Sequence, residues 1–174
     1  KLPFYGEGLD GLMRARAGSL RGIVNGIDYD DFNPETDGSI VQHYNAKNFR
    51  KEKVKNKKAL QAELGLPVDE KKFMVGIVSR LTDQKGLDLI QCVMDELCGE
   101  DMQLVVLGTG DERYENMFRH YAWKYQDRVS AQIYYSDALS RKIYAGCDAF
   151  LMPSLFEPCG LSQLMALRYG TVPI

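Results

Sequence analysis

The four cysteines, Cys92, Cys98, Cys147 and Cys159, have no C-x-x-C spacing, and the two histidines, His43 and His120, stand far from all of them in the sequence. Neither a zinc site nor a disulfide framework is indicated. The sequence also lacks any apolar run near the ~20 residues of a membrane span, and its N-terminus lacks the charged-then-apolar layout of a signal peptide. The cytoplasm is therefore the expected compartment. Neither charge is in large excess: 22 Lys and Arg against 24 Asp and Glu leave −2. No global field draws the chain to nucleic acid or a membrane, so any anion must be held locally. The chain opens without a Met and stops at Thr171-Val172-Pro173-Ile174, an apolar run like a strand just begun, so both ends read as cut from something larger.

What is present suits one globular domain with a real core, at 174 residues with 45% apolar and 26% charged. Residues 1–40 are turn-rich, with Gly6, Gly8, Gly11, Gly18, Gly22 and Gly26, and read as a connecting segment in which only Leu20 to Val24 resembles a short strand. Residues 41–174 form the expected folded domain. Asn48 to Leu66 begins with Arg50, Lys51, Lys53, Lys55, Lys57 and Lys58 and reads as a helix ended by Gly65 and Pro67. With Glu52 and Glu63 among the bases and few aromatics interleaved, it is expected to be a solvated helix face and not a nucleic-acid patch.

From Phe73 the pattern alternates regularly. Strands are predicted at 73–78, 102–107, 129–134, 149–152 and 171–174, with helices at 87–98, 112–125, 138–146 and 161–169 between them. Such alternation predicts an α/β fold, a Rossmann-like parallel sheet with helices on both faces. The strands are near-continuous apolar runs, and Leu87, Ile90, Met94 and Leu97 give one helix a single apolar stripe. Ligands of open parallel sheets bind beyond the carboxyl ends of the strands, and every candidate motif falls in a loop that follows a strand.

After the first strand, Arg80 and Lys85 put two cations five residues apart, which suits a diphosphate: Arg80 offers a planar fork and Lys85 a mobile point charge. Surface salt bridges are the alternative. After the second, Gly108 and Gly110 let backbone approach a ligand or simply allow a tight turn. Arg113 stands where a dinucleotide fingerprint needs its third glycine, which argues against NAD. After the third, Tyr135 supplies a flat face for a base or packs locally, and Ser136 or Asp137 can cap the next helix. After the fourth, Glu157 either carries chemistry or favours a helix N-terminus through its dipole. The backbone N–H groups near Cys159, Gly160 and Leu161 are free to meet an anion or a sugar hydroxyl. Cys159 itself is either thiol-reactive or an inert packing group. Asn25-Gly26 reads by itself as a type I′ turn.

Four segments in order, Gly8-Leu9-Asp10-Gly11-Leu12, Asn25-Gly26-Ile27-Asp28, the stretch from Ser79 to Asp88, and Pro153-Ser154-Leu155-Phe156-Glu157-Pro158-Cys159-Gly160-Leu161, resemble the bacterial glycogen (starch) synthases. The resemblance implies the C-terminal, donor-binding part of a two-domain GT-B glycosyltransferase. That enzyme moves glucose from ADP-glucose to the non-reducing end of an α-1,4-glucan with retention, with no cofactor and no metal; the alternatives are the donor domain of another retaining transferase that uses UDP-glucose, or a nucleotide-binding module without catalysis. It implies that Glu157 lies beside the donor sugar with Arg80 and Lys85 on the diphosphate, Tyr135 on the adenine, Asn25 near the sugar, and Gly108, Gly110, Cys159, Gly160 and Leu161 around the donor. It also implies that the glucan is met through an N-terminal domain, so these 174 residues alone are expected to be inactive. Many related transferases place a second Glu eight residues after the first; Met165 stands there, which puts that carboxylate's ribose contact in doubt.

Overall fold

The computed structural model describes residues 3–174; Lys1 and Leu2, the start of the expected connecting segment, lie outside the described residues. A 3-10 turn at Pro3–Tyr5 and the short helix α1 (Asp10–Ala15) precede irregular chain up to α2 (Phe49–Glu63). The repeat then runs β1 (Phe73–Val78), α3 (Leu87–Gly99), β2 (Met102–Leu107), α4 (Glu112–Lys124), β3 (Val129–Gln132), α5 (Asp137–Gly146), β4 (Ala149–Phe150), α6 (Leu161–Arg168) and β5 (Val172–Pro173). All pairings are parallel, in the order β3-β2-β1-β4-β5. The order reverses direction between β1 and β4, which opens a crevice between the loops that follow them.

Alternation along the strands sets both faces of the core. Val75, Ile77, Leu104 and Val106 meet the buried stripe of α3, Leu87, Ile90, Met94 and Cys98, together with Phe118 of α4. Met74, Val105 and Leu107 face the other way, onto Leu60 of α2 and Leu139 and Ile143 of α5. A period of two in strands covered on both sides needs nothing else to form two layers of helices. Leu97, predicted in the stripe of α3, is only partly buried, and Cys98 completes the stripe in its place.

Several expected elements are shorter. β4 and β5 are two residues each, although Leu151 and Met152 still donate to Gly76 O and Ile174 O. α6 stops at Arg168, where Gly170 takes φ 71° and Thr171 N–H returns to Ala166 O, a glycine-ended helix terminus. Two expectations fail outright. Leu20 to Val24 forms no strand and leaves Ile23 and Val24 exposed, because no sheet edge lies beside it to accept its hydrogen bonds. Asn25-Gly26 forms no turn, and neither residue has positive φ, which a type I′ turn requires.

The basic start of α2 is also not simply solvated. Helical spacing turns Lys53 and Lys57 inward, where Lys53 Nζ donates to Tyr144 O, Ala145 O and Thr171 Oγ1 and Lys57 Nζ to Asp148 Oδ2 at 2.6 Å. Ahead of α2, a strap of residues 28–44 lies on α5 and α6: Ile40 and Tyr44 are buried with Tyr144, Phe150 and Tyr169, and Tyr44 Oη donates to Tyr169 O.

Candidate functional site

The loops after β1 and β4 are laced together residue by residue. Leu155 N–H donates to Gln84 O at 2.9 Å, Gln84 Nε2 to Phe156 O at 3.3 Å, and Lys85 Nζ to Glu157 Oε1 at 2.5 Å. Gly86 makes the approach possible: with φ 67°, any Cβ on it would lie 2.0 Å from Pro153 O. The lacing brings together two groups 72 residues apart in sequence, with side chains only 15% and 20% exposed for Lys85 and Glu157. Ser154 Oγ donates to the same Glu157 oxygen at 2.7 Å. Burial pushes the Glu157 carboxyl upward. Hydrogen bonds from Lys85 and Ser154, with the charges of Lys85 and Arg80, outweigh it and hold the group below the ordinary carboxylate range. Glu157 is therefore an anion at neutral pH, beside two cations.

Beyond Arg80 the crevice opens into a cavity of about 290 Å³ with largely apolar walls, among them Val78, Leu107, Tyr144 and Met165. Gly108 and Tyr135 line it as well. Gly108 has φ 156°, and a Cβ there would sit 1.9 Å from Ser79 O, so the loop after β2 reaches the loop after β1 only because the residue is glycine. Gly110 is packed against Leu81, whose N–H donates to Thr109 O and whose carbonyl accepts from Asp111 N–H, and it does not line the cavity. Tyr135 is 88% exposed at the cavity and so is not a core residue. Ser136, not Asp137, caps α5, accepting from Leu139 N–H at 3.1 Å. Asp137 receives Arg141 Nε instead.

On the β4 side, Gly160 precedes α6 in a left-handed conformation, and Leu161 begins the helix. The N–H groups of Leu161, Ser162 and Gln163 have no backbone acceptor among the described residues, as at any helix start. Asn25 N–H lies 3.5 Å from Cys159 Sγ, which places the Asn25 segment against the loop that carries Glu157. Met165, at the position of the second Glu of many related transferases, lines the cavity.

Other cavity residues lie outside the candidates drawn from the sequence: Ser140 and Tyr144 line it from α5, and Phe32 from the strap, outside the strand-helix repeat, where nothing in its local sequence marks it. The described residues hold no cluster of three or more His, Cys, Asp or Glu arranged for a metal, and no helix long and apolar enough to cross a membrane.

Comparison with known proteins matches residues 57–174 to the family model of glycosyl transferases, group 1. The chain is 76% identical over all 174 residues to glycogen synthase of Lachnospira eligens and 57% identical to that of Clostridium acetobutylicum. It spans 36% of the length of each. Among solved structures it is similar to the catalytic domain of starch synthase IV from Arabidopsis thaliana bound to ADP and acarbose, with TM-score 0.91 and 36% identity over 99% of this chain and 36% of that one. Anabaena HepE in complex with UDP and glucose shares the fold at TM-score 0.61 and 21% identity, over 91% of this chain and 38% of that one.

Proposed function

The chain belongs to the group 1 glycosyl transferases, and on that premise we propose that it is the donor-binding part of an ADP-glucose:α-1,4-glucan glucosyltransferase, a glycogen synthase. The observation that carries the reading is the Lys85–Glu157 pair at the crevice between β1 and β4, beside a cavity of nucleoside size that Arg80 enters. In this reading the adenosine occupies the cavity with its base on Tyr135, and the diphosphate lies at Arg80 and Lys85. Both cations stabilise the charge that grows on the nucleoside diphosphate as it leaves the anomeric carbon. Glu157, kept ionised, sits beside the donor sugar, where an anion stabilises the positive charge that develops at that carbon. Ser154 holds the carboxylate, and the N–H groups opening α6 meet sugar or phosphate oxygens. Asn25, carried by a segment that touches Cys159, lies near the sugar. ADP-glucose is a substrate, and the reaction calls for no cofactor and no metal. The likeness to a starch synthase bound to ADP supports the choice of nucleotide, and four free cysteines suit a reducing cytoplasm. The α-1,4-glucan is met across a cleft whose other wall is a second domain.

The test is transfer of labelled glucose from ADP-glucose to an α-1,4-glucan by the whole protein. Glu157→Gln is expected to lower kcat by a factor on the order of 10²–10³ with little change in donor affinity. A kcat equal to wild type would return Glu157 to a helix-terminus role, and faster transfer from UDP-glucose would overturn the choice of nucleotide.

A further inference from the structure

Phe32 stands out among the residues lining the nucleotide cavity. The others end or follow β1, β2 or β3 or belong to α5 or α6, whereas Phe32 comes from the strap, in the acidic and irregular run Asp30-Asp31-Phe32-Asn33-Pro34. A turn holds the run locally, with Phe32 N–H donating to Asp28 O at 2.9 Å, and two arginines from the fold hold it against the cavity. The Arg141 guanidinium lies 4.3 Å from the Phe32 ring centroid, Nη1 donates to Asp31 O at 2.7 Å, and Nη2 donates to both Asp31 carboxylate oxygens at 2.9 and 3.0 Å. Arg141 is itself buried and fixed by Nε on Asp137 Oδ2 at 2.7 Å. Arg168 Nε donates to Phe32 O at 3.1 Å. The carbonyls on both sides of the Phe32 Cα are thus held, and one ring face is covered by a planar cation.

We propose that Phe32 is a nucleoside-binding residue of this site and that Arg141 is the positioning residue that holds its ring. The proposal rests on the nucleotide reading of the cavity. A ring needed only for packing would be closed over by its neighbours. Phe32 packs partly on the buried cluster that includes Tyr144, Phe150 and Tyr169 yet still lines an open apolar cavity, at whose rim Tyr135 is exposed. A nucleoside has the shape and the apolar faces to cover such a surface, and an aromatic side chain meets it at little cost in side-chain entropy. The strap then does more than connect: it supplies one wall of the donor site, and Asp137, at the start of α5, joins that wall to the loop after β3.

The experiment measures calorimetric affinities of the purified protein for ADP and for inorganic pyrophosphate, which lacks the nucleoside. Phe32→Leu is expected to weaken ADP roughly tenfold, the scale of a lost stacking contact, and to leave pyrophosphate within about twofold. Phe32→Tyr, which keeps the ring, should match wild type for both ligands. Arg141→Met should reproduce the selective loss in the wild-type background and add nothing to it in the Phe32→Leu background. Unchanged ADP affinity in Phe32→Leu, or an equal loss for both ligands, overturns the role of Phe32. A further loss in the double variant overturns that of Arg141. Arg80→Ala separates the two levels. If it weakens both ligands while Phe32→Leu weakens neither, the nucleotide site stands and Phe32 is no part of it. If the wild-type protein binds neither ligand, both readings fall.

Discussion

Two lysine-carboxylate pairs bracket β4, and they differ in how completely each lysine is used. At the start of the strand, Lys57 Nζ donates to Asp148 Oδ2 at 2.6 Å, to Lys72 O at 3.0 Å and to Glu70 O at 3.3 Å, and the same Asp148 oxygen accepts Met74 N–H. The Lys57 side chain is 7% exposed and its three protons are all bonded. At the far end, Lys85 Nζ meets Glu157 Oε1 and no other acceptor among the described residues. An ammonium carries three donors, so Lys85 keeps protons for a ligand at the mouth of the strands, where parallel sheets bind them. The first pair is a staple and the second a candidate site, although the residue types are the same. Lys53, beside the first pair, extends the contrast. Its three partners are neutral oxygens, and burial pushes its ammonium down to about 7.

Substitutions can break this contrast. The largest expected effect on stability is at the staple: Lys57→Ala should lower the unfolding free energy by roughly 3 kcal/mol, the low end for a broken buried pair because Asp148 keeps Met74 N–H and some water. ADP affinity should not change, as thermal melts alongside calorimetry would show. Arg80→Ala and Lys85→Ala should do the reverse, each weakening ADP by roughly 1.5–3 kcal/mol, less in high salt, with melting close to wild type. A melt depressed in Lys85→Ala as far as in Lys57→Ala would erase the distinction between staple and site.

Smaller effects sharpen the picture. Ser154→Ala leaves Glu157 one hydrogen bond short and should cost about 1 kcal/mol in turnover with donor KM unchanged, read from steady-state kinetics. The smallest effect is a shift with pH. Because the folded-state pKa of Glu157 is depressed, the stability from its pairing is fully present above the unfolded carboxylate value of about 4.3 and is lost as pH falls through the lower folded value. The acid limb of kcat/KM should therefore lie below that of an ordinary glutamate. Lys85→Met, which removes a hydrogen bond and a charge while burial remains, should move the limb upward. A limb that stays in place would show that Lys85 does not set the ionisation of Glu157.

Much of the candidate site is legible in the sequence because its parts are local. Arg80, Lys85, Gly108, Tyr135 and Glu157 each follow a strand whose apolar run is visible in the sequence, and a parallel sheet gathers such loops at one edge whatever the loops contain. What failed was where local propensity met no partner. Leu20 to Val24 has strand-forming residues and no neighbouring strand, and Asn25-Gly26 has turn-forming residues inside an irregular segment that touches Cys159. Lys53 and Lys57 were read as surface because lysine usually is. Their stems instead run inward to carbonyls at the end of α5 and before β1, which only the packing of α2 brings within reach.

By itself the sequence determined the order of strands and helices, the two-faced core and the set of loops that carry charge, since each depends on side-chain periods within a few residues. Tertiary structure decided which charges meet. Lys85 finds Glu157 across 72 positions, and Phe32, which lines the cavity, meets the Arg141 guanidinium 109 positions later. A Lys-Glu pair and an Arg over an aromatic ring each gain from closeness whichever residues supply them, so the sequence names the candidates and only the fold selects the partners.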